Sequence, residues 1–452
     1  MFEHCIPDSD WIPFAKQAIR AALALSSVCR GWRNIAISTP QLWTTLAICL
    51  GTPRLLDHLG TIHDWLGRSK ALPLTIYLDD SEDEYLEEDR EPLETEDIYH
   101  EISQVADVLK LHSGRWESLS IFVPGQFLGA FGSTQEVSPV FRSLSLMTTD
   151  PTIPDNIADF RLADFKPRSV TLNSVCSDFL GIDWSALTQI YLSDLSIGSY
   201  LRLLQLAPSL QECRLTSFEF TSEDHGQIAS DTITHSLLQE LVFTFRDDSL
   251  VCIILDHVAF PALQKLRLAG SRLPMDALSS FFTRSSCQLT ELHIFACCLD
   301  DHLLLHLLAQ LPSLVELDIY PNFDDSYSPD LLFVWLSRIE RPSGADHGLE
   351  EGTAVRHTFL PNLRTFKYTA NPRIPFPWIS FSDVFGPQRA WGNPLYRPLQ
   401  SIHLTFPPQS SRPTAKMDKE VLPLLLAIKE AGIDLQIRYD QQDVLQALDA
   451  RT

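Results

Sequence analysis

The chain has 452 residues, of which 45% are apolar and 21% charged, a composition that fits a folded globular protein and excludes a wholly disordered one. Its 58 acidic and 35 basic residues leave a net charge of −23, which argues against nucleic acid or an anionic membrane as a partner. Nine cysteines without a C-x-x-C spacing make neither a disulfide framework nor a ribbon-type zinc site, and no N-x-[ST] sequon occurs, so a reduced intracellular protein, cytoplasmic or nuclear, is expected.

Residues 15 to 38 come first, with Leu25, Val28, Cys29, Trp32, Ile35 and Ala36 on one face at helical spacing. A polar turn, STPQLW, follows with Pro40, Leu42 and Trp43. The run ALSSVCRGWRNIAISTPQLWTTL resembles the second half of an F-box-like domain of the large fungal families, and FEHCIPDSDW resembles the end of its first helix. WLGRSKALPLTIYL (65–78) is similar to the segment joining such a domain to leucine-rich repeats. A complete F-box starts with a Leu-Pro-x-Glu-like segment, whereas Met1 stands directly before Phe2, so a truncated first helix is expected. The resemblance implies an adaptor that docks on the Skp-type adaptor of a cullin-RING ubiquitin ligase and holds the protein to be ubiquitylated. It implies that Phe2, Ile6 and Pro7 end the first helix, while Val28, Trp32, Ile35 and Trp43 form a small three-helix core and part of the docking face.

Residues 79 to 97 hold 12 acids and one Arg, a local balance of −11. With few apolar side chains to bury, the stretch reads as a solvated loop within a connector over 51–115.

From there a repeat organises the chain. The motifs ESLSI, RSLSL, RSVTL, TQIYL, QECRL, QELVF, QKLRL, TELHI and VELDI centre on residues 119, 144, 170, 190, 213, 241, 266, 292 and 317. Their mean spacing of about 25 falls in the leucine-rich-repeat range. In each motif both L-x-L positions are apolar, as short strands require when alternate side chains enter a core. Leu289, Leu292, Ile294, Cys297 and Leu299 complete a whole unit, and DDHLLLHLLAQLP after it reads as an amphipathic return helix with acids at its positive end. The expected fold is α/β: a leucine-rich-repeat solenoid over 116–440, with a parallel sheet on its concave face, behind a small helical F-box-like domain at 1–50. After Leu317 the spacing breaks, with Phe366 and Ile402 next, so an insertion or degenerate unit is expected near 321–358. IDLQIRY (433–439) reads as a last strand after the helix LPLLLAIKEAG.

The alternation also selects outward residues. Tyr191, Arg214, Lys265, Arg267, Glu291, His293, Glu316 and Asp318, with Tyr320 and Lys367, would line the concave face. Their order places a basic patch with Tyr191 before an acidic one, which fits a target protein of bipolar charge or, equally, a face that is merely soluble.

Other chemistry is weaker. His293, Cys297, Cys298, His302 and His306 lie within fourteen residues, but the H-E-x-x-H glutamate is missing and the repeat already accounts for Cys297 and His293, so no metal and no cofactor are expected. No G-x-S-x-G elbow or phosphate-binding glycine loop occurs, and acid pairs such as Asp247/Asp248 read as turn residues. Three functions remain open: the non-catalytic ligase adaptor, a repeat scaffold without ligase coupling, and an enzyme whose site has no familiar motif.

Overall fold

Strands with alternate apolar residues are stable only when a neighbouring strand extends the buried face, and stacking them in parallel requires a return leg between each pair. The computed structural model has this arrangement. It describes residues 12–50, 55–79, 95–132, 136–148, 162, 165–175, 180–219, 232–324, 326–338, 359–385, 399–407, 421–439 and 442–443. These fall into two units, Met1–Leu210 with Phe218–Gln227, and Gln211–Ser217 with Ile228–Thr452.

The first unit opens with helices α1 (Ile12–Ser27) and α2 (Arg30–Ser38). Strands β1 (Thr45–Cys49), β2 (Leu74–Asp79), β3 (Trp116–Phe122), β4 (Ser143–Met147), β5 (Ser169–Asn173) and β6 (Gln189–Ser196) then pair in parallel and in chain order. In register, Leu46, Ile76, Leu119, Leu144, Val170 and Ile190 form one buried row and Ile48, Leu78, Ile121, Leu146, Leu172 and Leu192 the next. Helices α3 (Leu59–Arg68), α4 (Thr95–Lys110) and α5 (Ile197–Leu206) belong to this unit.

The parallel sheet thus starts at Thr45, well before residue 116, and the stretch 51–115 contributes a strand and two helices. Both early strands carry the alternation, as LAI and IYL, but Leu46 and Ile76 are 30 residues apart and Ile76 and Leu119 are 43 apart, so neither step matches a period near 25. The acidic stretch is also shorter than its composition implies. Asp79 is buried at the end of β2 and Thr95 begins α4; residues 80–94 lie outside the described residues.

The second unit continues the pattern with β7 (Glu212–Glu219), β9 (Glu240–Phe245), β11 (Lys265–Gly270), β12 (Glu291–Cys297), β13 (Glu316–Pro321), β14 (Thr365–Thr369), β15 (Ser401–Phe406) and β16 (Asp434–Tyr439). All pair in parallel in that order, and β17 (Gln442–Asp443) adds an antiparallel edge. A separate parallel pair is formed by β8 (Ile233–Thr234) and β10 (Val258–Ala259). From β9 to β15 the residue before each strand of the large sheet donates its N–H to the equivalent carbonyl one unit back, as in Gln264 to Gln239 at 2.9 Å, Thr290 to Gln264 at 2.8 Å and Val315 to Thr290 at 2.8 Å. This ladder holds the register and satisfies backbone groups that the sheet itself leaves open.

The return legs hold α6 (Asp248–His257), α7 (Met275–Ser285), α8 (Asp301–Ala309), α9 (Asp330–Ser337), α10 (Trp378–Asp383) and α11 (Leu422–Glu430). Helices α6 to α10 pack in succession. The aspartates before the helices act as foreseen: Asp300 accepts the Leu303 N–H at 2.9 Å as the N-cap of α8. Leu289, Leu292, Ile294, Cys297 and Leu299 are all buried. Each such side chain contributes about 1.5 to 3 kcal/mol relative to leaving it in water. Because β13 and β14 are direct neighbours, the 49 residues from Leu317 to Phe366 are one long crossover carrying α9, not a degenerate unit; residues 339–358 lie outside the described residues.

One glycine in this stack is required by packing. Gly270 lies opposite Phe245 in the β9–β11 register, and a Cβ there would fall inside the Phe245 ring. Phe245 is buried and cannot swing out without opening the core. Gly270→Ala is therefore expected to lower stability by about 1 to 3 kcal/mol, read from urea unfolding, and Phe245→Leu should recover part of that loss in the double variant. An additive double variant would show that the two residues are not coupled.

Candidate protein-binding surfaces

Two surfaces follow from the sequence: the face of α1 and α2, and the outward face of the strands. On the first, the chain turns from α1 into α2 around Arg33, whose Nε donates to the Ser26 carbonyl at 2.9 Å. The inner side is made by Ala18, Ala22, Ala36, Leu42 and Trp43. Trp43 is fully buried, donates its indole N–H to the Ala36 carbonyl at 2.8 Å, meets Trp65 edge-on at 4.6 Å and lies under the Arg68 guanidinium at 4.6 Å.

The expectation that Val28, Trp32 and Ile35 share in a helical core is corrected here. They are 61%, 41% and 50% exposed, and Leu23 and Ile37 are exposed too. Small alanines take the inner positions, so the helices approach closely and the large side chains turn outward. Trp32 and Ile35, spaced i, i+3, share one face of α2, and Val28 is exposed in the turn that precedes the helix. Phe2, Ile6 and Pro7 lie outside the described residues.

On the strands the two units differ. The outward rows of the first unit are short and uncharged: Thr75, Ser118, Ser143 and Ser169 in one, and Tyr77, Ser120, Ser145, Thr171 and Tyr191 in the next. Tyr191 is exposed there, while Tyr77 is buried.

The second unit carries the charges. Arg214, Val242, Arg267, His293, Asp318, Lys367 and His403 form one row, flanked by Glu212, Glu240, Lys265, Glu291 and Glu316. Sequence order placed a basic patch beside an acidic one, but neighbouring strands interleave them. Lys265 reaches Glu291 at 3.0 Å, Lys367 reaches Glu316 at 2.7 Å, and Arg267 lies 3.9 Å from Glu240. Pairing cancels most of the bipolar field, because parallel register places every outward residue about 4.8 Å from its counterpart. Within the central row, Arg214, opposite Val242, and Asp318, which has His293 at 3.5 Å, make no ion pair with a carboxylate, Lys or Arg among the described residues. They are four strand spacings apart, roughly 19 Å. The alternation alone also marks Phe295, two residues beyond His293 and beside Tyr320 in register, as an outward residue; it was not singled out because a lone Phe in a strand reads as core.

The described residues hold a geometric candidate for the catalytic alternative. Ser401, His403 and Asp434 converge on neighbouring strands, with Ser401 Oγ 3.0 Å and Asp434 Oδ2 3.2 Å from the same His403 Nε2. A relay needs serine on one ring nitrogen and carboxylate on the other. Here the carboxylate contacts the nitrogen that would have to accept the serine proton, and hydrogen bonds from Gln436 and His403 hold Asp434 below the usual carboxylate range. Three thiols are likewise unactivated: burial pushes Cys297 up to about 12 and raises Cys252 and Cys287. No group of three or more His, Cys, Asp or Glu side chains among the described residues is placed to hold a metal ion, and no described helix is long and apolar enough to cross a membrane.

No family model matches the chain, and no curated protein does. A chain in the crystal structure of the Rad7 and Elc1 complex in yeast is similar over 96% of this chain and 99% of that chain, at 14% identity and a TM-score of 0.34. A likeness that low decides neither fold nor partner, and the architecture rests on the strand register itself.

Proposed function

We propose that the protein is a substrate-recognition adaptor of a Skp-cullin-F-box type ubiquitin ligase. The α1–α2 face takes the Skp-type adaptor and the outward face of the strands takes the target. The observation that carries this reading is the exposure of Val28, Trp32 and Ile35, a large aromatic and two branched residues, on α2 and the turn before it, in the stretch that resembles an F-box-like domain. Exposed apolar residues close together mark contact with another macromolecule, and a tryptophan among them is a common anchor.

The test is co-precipitation of the full chain with a recombinant Skp-type adaptor. The parent should be retained. Trp32→Ala should weaken retention by about 30-fold, as an anchor worth about 2 kcal/mol implies, and Val28→Asp should do the same, with melting temperatures unchanged because both side chains are exposed. A parent that is not retained favours the scaffold without ligase coupling.

A further inference from the structure

Across β12 and β13 the row that precedes Asp318 is paired with lysines, and Asp318 itself is not. Glu291 and Glu316 are held by lysines at 3.0 and 2.7 Å, whereas Asp318 makes no ion pair with Lys or Arg among the described residues, its register partner Lys367 being turned to Glu316, and has the His293 ring beside it, Nδ1 to Oδ2 at 3.5 Å. The Asp318 side chain is only 19% exposed, so its carboxylate has lost much of its hydration without gaining a cation. His293 is more enclosed, with a side chain 10% exposed, and its Nε2 has no hydrogen-bond partner. That nitrogen lies 3.9 Å from Glu291 Oε2, beyond hydrogen-bonding distance. Two carboxylates and an imidazole nitrogen without a hydrogen-bond partner therefore meet in one corner.

The next outward row supplies apolar walls. Phe295 and Tyr320 are directly opposite in register, both half-buried, and the Phe295 ring is nearly parallel to His293, at 6.1 Å and 11°. A carboxylate with aromatic faces beside it matches a planar guanidinium, which pairs with the acid through two N–H groups and stacks on the rings; an ammonium does only the first. The net charge of −23 favours approach of a basic segment. We propose that the protein partner held on this face inserts an arginine side chain at the Asp318–His293 corner, against Phe295 and Tyr320. The proposal rests on the reading that the strand face binds a protein and adds which side chain the partner must carry.

Selection of a phage-displayed random-peptide library on the full chain tests it. Recovered peptides should share an arginine. Replacing that arginine by its neutral isostere citrulline, or by lysine, should weaken binding to the parent about tenfold or more, as should Asp318→Asn in the protein. The citrulline comparison needs no protein variant and stands even if Asp318→Asn misfolds. Retention of the Skp-type adaptor, measured on the same preparations, should not respond to Asp318→Asn. If the adaptor is never retained while the arginine dependence holds, the ligase reading falls and this assignment stands. Peptides without arginine, equal binding of the citrulline or lysine peptide, full binding to a folded Asp318→Asn chain, or no recovered peptide would each overturn it.

Discussion

Trp43→Ala should destabilise the first unit by about 3 to 5 kcal/mol, while Trp32→Ala, eleven residues earlier, should change its stability by less than about 1 kcal/mol. Both residues were expected to serve the same helical core, and the structure separates them. Trp43 is fully buried and its indole N–H is bonded to the Ala36 carbonyl. Its ring also meets Trp65, which in turn donates to the Thr45 carbonyl at 3.0 Å and so ties α3 to the first strand. Removing Trp43 leaves a cavity, takes one of two donors from the Ala36 carbonyl, which keeps the Thr39 N–H at 3.1 Å, and breaks an edge-on aromatic pair worth about 0.5 to 1.5 kcal/mol by itself. Chemical denaturation followed by circular dichroism measures both variants. Equal losses from the two substitutions would show that α2 packs against the unit through its Trp32 side.

Most of the strand positions were legible because burial in a stacked sheet imposes a period of two within each strand and a near-constant step between strands. Leu144, Leu192, Leu241, Leu268, Ile294 and Leu317 are all buried on paired strands, as the L-x-L alternation requires. Illegible parts are those where the step is not constant. β1 and β2 were hidden by 30- and 43-residue spacings, and α4 by the acids that surround its start. The charges on the outward face were readable one strand at a time, yet their pairing was not, since Lys367 and Glu316 lie 51 residues apart and meet only through register. For the same reason Asp318 could be named from the sequence as an outward acid but not as one that makes no ion pair with Lys or Arg among the described residues. On α2 Ala36 of the expected face is buried, but Trp32 and Ile35 turn outward, and the helical spacing does not run through the break at Val28 and Cys29.

Phe333→Ala should lower the stability of the second unit by about 3 to 5 kcal/mol and loosen its last strands first. Phe333 projects from α9, inside the long crossover, and is fully buried. Its ring meets Phe366 of β14 at 5.9 Å, Phe376 of the following leg at 5.6 Å and Phe381 of α10 at 5.3 Å, all edge-on. Phe376 in turn contacts Trp378 at 4.6 Å and Phe406 of β15 at 5.4 Å, and Phe406 stacks on Tyr439 of β16 at 4.5 Å. The crossover is the longest interruption of the repeat in this unit, and in a stacked array each unit is held mainly by its immediate neighbours. A chain of aromatic contacts beginning at Phe333 therefore ties the strands after the crossover to the helix within it. Hydrogen exchange distinguishes this from a general loss of stability. Amides of Thr365–Thr369 and Ser401–Phe406 should lose protection in Phe333→Ala under conditions where those of Lys265–Gly270 and Glu291–Cys297 keep theirs. Uniform loss across all four strands would mean that the second unit unfolds as one cooperative block and that the crossover is no weaker than the regular legs.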